Sequence, residues 1–434
     1  MKGLVFCGGV LLLLTAGAVG AEDVGHYYKL GNELMIGRDF NEAMKAYRKV
    51  IELDPDSIEA SNCTGKLLEE AGDLGGAIAA YRKAIKADPK FTGSYNNLGC
   101  ALKSKGDIKG AIAILEKAIE IDPKYMWSYN NLGNILKSQG DMKGALAQFK
   151  KAVEIDPKCA EAYKNIGNVL RDTGDIKGAI KMFKKASSVD PTYVHGYNNI
   201  GNIYNDIKHD HDAAIAEYRK ALKINPRYAL GLYNLGIAFQ HKGNKLRDKK
   251  DYPGAITAYR QAIKYLPEMW QPYSTLSYAQ YMNGDLAGAI ATDRQAIKKW
   301  PEIATLYNNL GADLQQKGGD MDESIAAFRK ASELSPRTPR FLCNLGLMLD
   351  YNNDIDGAIA AYEKAIEVGP AYAISYTNLA ILYYFQKKYD KVWALIDAAE
   401  AAGLKDAVSQ GVYERLQKKS PRTPKSTKDK GGQK

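Results

Sequence analysis

The chain has 434 residues, 45% hydrophobic and 25% charged, the balance of a soluble folded protein rather than a disordered or membrane-embedded one. Its net charge of +10 is concentrated at one end, because residues 418–434 hold seven Lys or Arg and one Asp. The remaining body is close to neutral, which excludes the broad basic surface that nucleic-acid binding requires.

Residues 1–21, MKGLVFCGGVLLLLTAGAVGA, combine one positive charge, an apolar stretch and a small-residue end. That layout predicts a secretory signal cleaved after Gly20 or Ala21, and hence export to a periplasm or secretion. The alternative is an uncleaved anchor. Its apolar stretch, Leu4 to Val19, spans 16 residues, short of the ~20 that a membrane span needs. Cleavage leaves Cys63, Cys100, Cys159 and Cys343, too few and too scattered for a disulfide framework; free, mostly buried thiols are expected.

From residue 22 the chain is periodic. Pro55, Pro89, Pro123, Pro157 and Pro191 follow one another every 34 residues, and Pro226, Pro267, Pro301, Pro336 and Pro370 continue at spacings of 35, 41, 34, 35 and 34. Gly31, Gly65, Gly99, Gly133, Gly167, Gly201, Gly311 and Gly346 keep step with them. Each period reads as two helices. In 126–159 a segment from Trp127 to Ser138 is closed by Gly140, and Asp141 caps a second helix from Met142 to Ile155 ahead of Pro157. At 100° per residue Tyr129, Leu132, Gly133 and Leu136 share one side of the first helix, and Ala145, Phe149 and Ala152 one side of the second.

This pattern resembles the tetratricopeptide repeat: aromatic at position 4, Leu-Gly at 7 and 8, Ala at 20, aromatic at 24, Ala at 27 and Pro at 32. The resemblance spans residues 22–406 in about eleven repeats and implies an all-α helical-hairpin solenoid, a right-handed superhelix lined inside by each first helix. Residues 407–419 are expected to form a polar capping helix, and 420–434 a disordered basic tail.

The phrase Tyr-Asn-Asn recurs within the first helices, and position 6 is asparagine at Asn97, Asn131, Asn165, Asn199, Asn234, Asn309, Asn344 and Asn378. On a helical wheel Asn131 and Asn134 point away from the hairpin interior, with Asn130 on their flank, so none of the three is expected in the core. An amide offers both a donor and an acceptor, and an extended peptide presents the matching pair at every residue. The row, with Asn130, Asn134 and Asn168 beside it, therefore predicts a surface that holds peptide backbone. It is similar to the asparagine row in the repeat arms of O-GlcNAc transferases, a resemblance that implies protein substrates held in this way. The alternative is a pattern shared by the repeat family without a binding role. Lys103, Lys137 and Arg171, at position 12 of three successive repeats, predict a preference for acidic partners, or else a solvated basic face. The carboxylate clamp of chaperone-binding tetratricopeptide domains is only half matched. Lys164, Asn168 and Asn199 fit its first part, but Leu230 and Asn234 stand where two cations belong.

Three irregularities stand out. Residues 244–250 (NKLRDKK) read as an inserted surface loop of the seventh repeat. In the eighth, Thr275 takes the asparagine position and Asp293 the buried aromatic one, predicting a bend or a weak stack. His209-Asp210-His211-Asp212 reads as a turn capped by Asp212, with too few ligands for a metal. Asn62-Cys63-Thr64 matches a glycosylation acceptor but falls inside a helix. No phosphate-loop, metalloprotease, serine-hydrolase or dinucleotide fingerprint occurs, so no enzyme and no cofactor are expected. The reading is a non-catalytic scaffold for extended protein segments. The alternatives are an envelope assembly factor acting by self-association, or a targeting arm partnered with a glycosyltransferase.

Overall fold

A computed structural model describes residues 20–318, 321–404, 407–408 and 410–421. Residues 1–19 of the expected signal and 422–434 of the expected tail lie outside these residues. The described chain is helical throughout, with 23 α-helices and no strand among the described residues. They fall into two compact units, residues up to 209 with 216–228, and 210–215 with 229 onward.

In the first unit the hairpins are α1 (Gly20–Gly37) with α2 (Phe40–Leu53), α3 (Ile58–Glu70) with α4 (Leu74–Ala87), α5 (Thr92–Lys105) with α6 (Ile108–Ile121), α7 (Met126–Ser138) with α8 (Met142–Ile155), α9 (Ala160–Asp172) with α10 (Ile176–Val189), and α11 (Val194–Asn202), which is followed by α12 (His211–Ile224). In the second they are α13 (Ala229–Asp248) with α14 (Tyr252–Tyr265), α15 (Gln271–Met282) with α16 (Leu286–Lys299), α17 (Ala304–Lys317) with α18 (Met321–Leu334), α19 (Pro339–Tyr351) with α20 (Ile355–Val368), and α21 (Ala373–Phe385) with α22 (Tyr389–Ala401), then α23 (Gln410–Lys419). Within each unit every hairpin packs on the next, so its apolar face is covered by its neighbours.

The turn chemistry follows the sequence. Gly140, at φ 85°, supplies the left-handed residue that closes α7. Asp141 then accepts from the Gly144 N–H at 2.8 Å and starts α8. The same cap recurs at Asp73, Asp107, Asp175, Asp251, Asp285 and Asp354 at 2.8 to 3.0 Å, each worth about 1 kcal/mol. The hairpin closes over an aromatic ring. A Cβ on Gly133 would lie 2.7 Å from Phe149 Cε1, so only glycine admits the fully buried ring. Burying that ring contributes roughly 1.5–3 kcal/mol. Gly31 with Tyr47, Gly65 with Tyr81, Gly167 with Phe183 and Gly346 with Tyr362 repeat the arrangement.

The irregular repeats are resolved by helix geometry. The sixth repeat has one extra residue, and α11 runs on into a π-helical turn, Ile203–Ile207, which carries one more residue per turn than an α-helix. The insertion 244–250 is not a loop. Residues 244–248 continue α13 to 20 residues, because seven residues turn about 700° and return the helix to within about 20° of the same face. Gly243, seven residues after Gly236, therefore meets the Tyr259 ring, and Gly236 faces Leu266. The Tyr259 hydroxyl donates to Asn244 Oδ1 at 2.8 Å, as Tyr47 donates to Asn32 at 2.8 Å and Tyr218 to Asn202 at 2.7 Å. Ahead of α12 the cap is Asp210, which accepts from the Ala213 N–H at 3.1 Å, rather than Asp212. Asp212 instead pairs with Lys242 at 2.6 Å.

At the far end α23 buries Leu416 completely, Trp393 Nε1 donates to the Ser420 carbonyl at 3.1 Å, and the Thr377 hydroxyl donates to the Ala407 carbonyl. Among the described residues no helix is long and apolar enough to cross a membrane.

Candidate functional site

The asparagines form a ladder between hairpins. Asn131 Nδ2 donates to Asn96 Oδ1 at 2.8 Å, Asn165 to Asn130 at 2.8 Å, and Asn344 to Asn308 at 2.9 Å. Each rung joins position 6 of one repeat to position 5 of the repeat before it. Asn97 reaches Asn62 at 3.4 Å, Asn309 the Ser274 hydroxyl at 3.0 Å and Asn378 the Cys343 sulfur at 3.8 Å. Asn62 in turn donates to Ser94 Oγ at 2.8 Å and is buried, which removes it as a glycosylation acceptor.

This corrects the expectation that the amides stand clear of the core. Asn130 is 3% exposed and Asn165 5%, and Asn96, Asn198 and Asn308 are also buried. The helical wheel failed here because it counts only a hairpin's own second helix, while the face it leaves open is covered by the adjacent hairpin. The amides thus have a stacking role that their pattern alone did not reveal.

Apart from the buried Asn165, the position-6 amides keep part of their surface open. Asn97, Asn131, Asn199, Asn234, Asn309, Asn344 and Asn378 are half-buried, as are Asn134 and Asn168. A rung uses one N–H, and an amide has two together with a carbonyl that accepts twice. At Asn199 the rung is missing. The position-5 residue before it is Lys164, an ammonium with no acceptor, and the Asn199 side chain makes no hydrogen bond among the described residues.

Lys164 is committed elsewhere. Its ammonium pairs with Glu161, which also accepts from the Tyr193 hydroxyl at 2.5 Å. Tyr193 packs at a tilt against His195 with ring centroids 5.1 Å apart, and His195 Nδ1 meets the Tyr228 hydroxyl at 3.1 Å. Burial alone would raise the Glu161 pKa, but Lys164, Tyr193 and His195 outweigh it and hold the carboxyl below its ordinary value. Burial and the nearby Lys164 hold His195 below its usual range. Sequence reading missed this cluster, although the Glu161–Lys164 spacing, one helical turn, was its visible signal. It also takes the cation that the half-matched carboxylate clamp would need.

The basic stripe is reduced as well. Lys137 Nζ lies 2.8 Å from Asp172 Oδ2, and Arg171 Nη2 2.9 Å from Asp172 Oδ1. Burial works against ionisation of Asp172, yet the two cations hold its carboxyl below the usual range. Lys103 alone of the three is exposed and without an ion pair among the described residues. No group of three or more His, Cys, Asp or Glu side chains suited to a metal occurs among the described residues. Cys63, Cys159 and Cys343 are buried free thiols, and Cys100 is half-buried.

Tetratricopeptide-repeat models match residues 28–90, 80–113, 241–302, 304–338 and 339–372, and a TPR-repeat model matches 99–140, 133–170, 167–206 and 208–243. No curated protein matches the chain. Among solved structures it is similar to MamA, at 29% identity over 38% of this chain and 96% of that one, with a TM-score of 0.33. It is also similar to YrrB, described as a TPR protein with an unusual peptide-binding site, at 26% identity over 44% of this chain and 97% of that one, TM-score 0.32. A third is pilF of Pseudomonas aeruginosa, at 18% identity over 49% of this chain and 96% of that one, TM-score 0.41. Matches of one repeat type from residue 28 to residue 372, on hairpins closed by the glycine–aromatic pairs described above, establish that the chain belongs to the tetratricopeptide-repeat family.

Proposed function

We propose that this protein-interaction scaffold, itself without catalytic activity, holds extended segments of other proteins by their backbone along the position-6 amides and the neighbouring Asn134 and Asn168. The observation that carries the reading is the unspent valence of the row. The half-buried rung amides Asn131 and Asn344 each keep a second N–H and a carbonyl oxygen, and the Asn199 side chain keeps all of its hydrogen-bonding capacity. At about 0.5–1.5 kcal/mol net per hydrogen bond, six to eight such contacts amount to several kcal/mol. After the cost of ordering a flexible segment, affinities of order micromolar remain. Lys103 adds a modest bias toward acidic segments. Residues 1–21 carry the further proposal that the scaffold works outside the cytoplasm; N-terminal sequencing of the mature protein tests it by the presence or absence of cleavage near Gly20.

The binding test avoids the rungs. Asn134, Asn168 and Asn199 together changed to alanine leave every rung amide in place. Titration of a pool of unstructured peptides, read by fluorescence anisotropy, is expected to show affinity weakened about tenfold or more, from one such bond lost at each position. Affinity within twofold of the parent chain would remove the basis for the groove.

A further inference from the structure

The eighth repeat holds a buried pair of carboxyl groups that neither the glycine–aromatic packing nor the amide ladder accounts for. In the neighbouring repeats this slot holds an aromatic ring, Tyr259 against Gly243 and Phe328 against Gly311. Here Asp293 of α16 takes the ring position and Ser277 of α15 takes the glycine position; the smaller side chain makes room for the serine hydroxyl. Asp293 is 0% exposed and Asp313 of α17 is 3% exposed. Asp293 occupies the slot facing Ser277, and the Ser277 hydroxyl donates to Asp313 Oδ2 at 3.3 Å, so the two buried carboxyls converge on one serine. Neither oxygen of Asp293 has a donor. Two buried ionised carboxylates with one hydroxyl donor at hand repel each other and lack solvation, so burial holds the pair protonated.

We propose that Asp293 and Asp313 form a proton-dependent latch that ties α16 to α17 while the pair is protonated and loosens that stack as the groups ionise.

The surroundings offer no alternative counter-charge. Helix α15 presents the Ser277 hydroxyl and carries Tyr273, Tyr278 and Tyr281. Helix α16 carries Asp285, which accepts from Gln280, and Arg294, which pairs with Glu323 of α18 at 2.6 Å. Helix α17 carries Lys317, and α18 carries Asp322, Glu323, Arg329 and Lys330. Among the described residues none of these lies against the pair; Ser277 and the two carboxyls themselves are the groups that act on it. Burial raises both carboxyl pKa values, that of Asp313 to about 7, and the mutual repulsion raises Asp293 further. In the opened stack both carboxyls return to about 3.9. The closed form therefore holds protons that the open form releases. Stability of the stack is full below the open-state value and is lost as pH rises from there toward 7.

Native-state hydrogen exchange of the full chain, corrected for the intrinsic pH dependence of exchange, tests this. Opening of α16 and α17 is expected to increase about tenfold or more per pH unit between pH 5 and 7, since one to two protons are released on opening. Helices α3 to α6, which lack such a pair and carry no histidine, serve as the flat control. In Asp293→Asn the amide donates to the Asp313 carboxylate and the pH dependence should vanish; Asp313→Asn is the second variant, should the first fold poorly. Wild-type α16 and α17 that track the control, or a dependence that survives in both variants, would overturn the latch.

Discussion

The rung between Asn165 and Asn130 separates a stacking role from a binding role, because the neighbouring Asn199 occupies the same repeat position without a rung. Replacing Asn165 by alanine removes the donor to Asn130 Oδ1, an acceptor only 3% exposed that water cannot readily reach. Leaving a buried acceptor unpaired costs roughly 1–3 kcal/mol. Asn130→Ala should cost a similar amount by stranding the Asn165 N–H. The double variant should cost less than the sum by about 1 kcal/mol, since the second change has no bond left to break. Asn199→Ala loses no bond within the protein and should stay within about 0.5 kcal/mol of the parent. A repeat array need not unfold in one step. Urea unfolding by circular dichroism should therefore be paired with hydrogen exchange of α7 and α9, where a lost rung shows as local opening. Strict additivity of the two single changes, or equal cost for Asn165→Ala and Asn199→Ala, would refute the argument that the row holds the hairpins together.

Other substitutions probe the packing. Gly133→Ala places a Cβ 2.7 Å from the Phe149 ring, and the overpacking should cost about 1–3 kcal/mol despite better helix propensity. Gly25→Ala in α1, where a Cβ meets nothing within 4 Å, should instead stabilise by up to about 1 kcal/mol; matched thermal melts compare the two. Deleting residues 244–250 shortens α13 by about two whole turns and should leave the seventh hairpin folded with Gly236 against Tyr259. Deleting 245–249 turns the helix by about 140° out of phase and should be much more disruptive; a melting temperature no lower for the five-residue deletion would contradict the helical reading. Leu416→Ala empties a fully buried site under α23 and should cost about 2–5 kcal/mol, seen as faster exchange in α22 and α23.

How much of this was legible in the sequence depends on which partner a residue meets. The hairpins were legible because their determinants are local. Gly140 and Asp141 mark a turn, and Gly133 lies 16 residues from the ring it admits, within one period. The ladder was misread because its bonds run between periods: Asn131 to Asn96 and Asn165 to Asn130 are each 35 residues apart. That separation is one repeat plus one residue, and it explains why asparagines come in adjacent pairs. A middle repeat needs an acceptor at position 5 for the repeat that follows and a donor at position 6 for the repeat before. The doublet Asn130-Asn131 does both, whereas Lys164-Asn165 can only donate backwards, which is why Asn199 is left without a rung. The same accounting applies to charge. The three basic residues at position 12 read as a stripe until Asp172, at position 13, is placed between two of them. The loop assignment of 244–250 failed for a different reason: charged residues are as compatible with an exposed helix face as with a loop. Only the phase relation between Gly236 and Gly243, two helical turns apart, distinguished the two. Where a repeat breaks its own pattern, as at Ser277 and Asp293, sequence shows that a substitution occurred but not that Asp313 of the next repeat completes it. The residues that define function and regulation in such an array are therefore best sought as pairs separated by one period and a small offset.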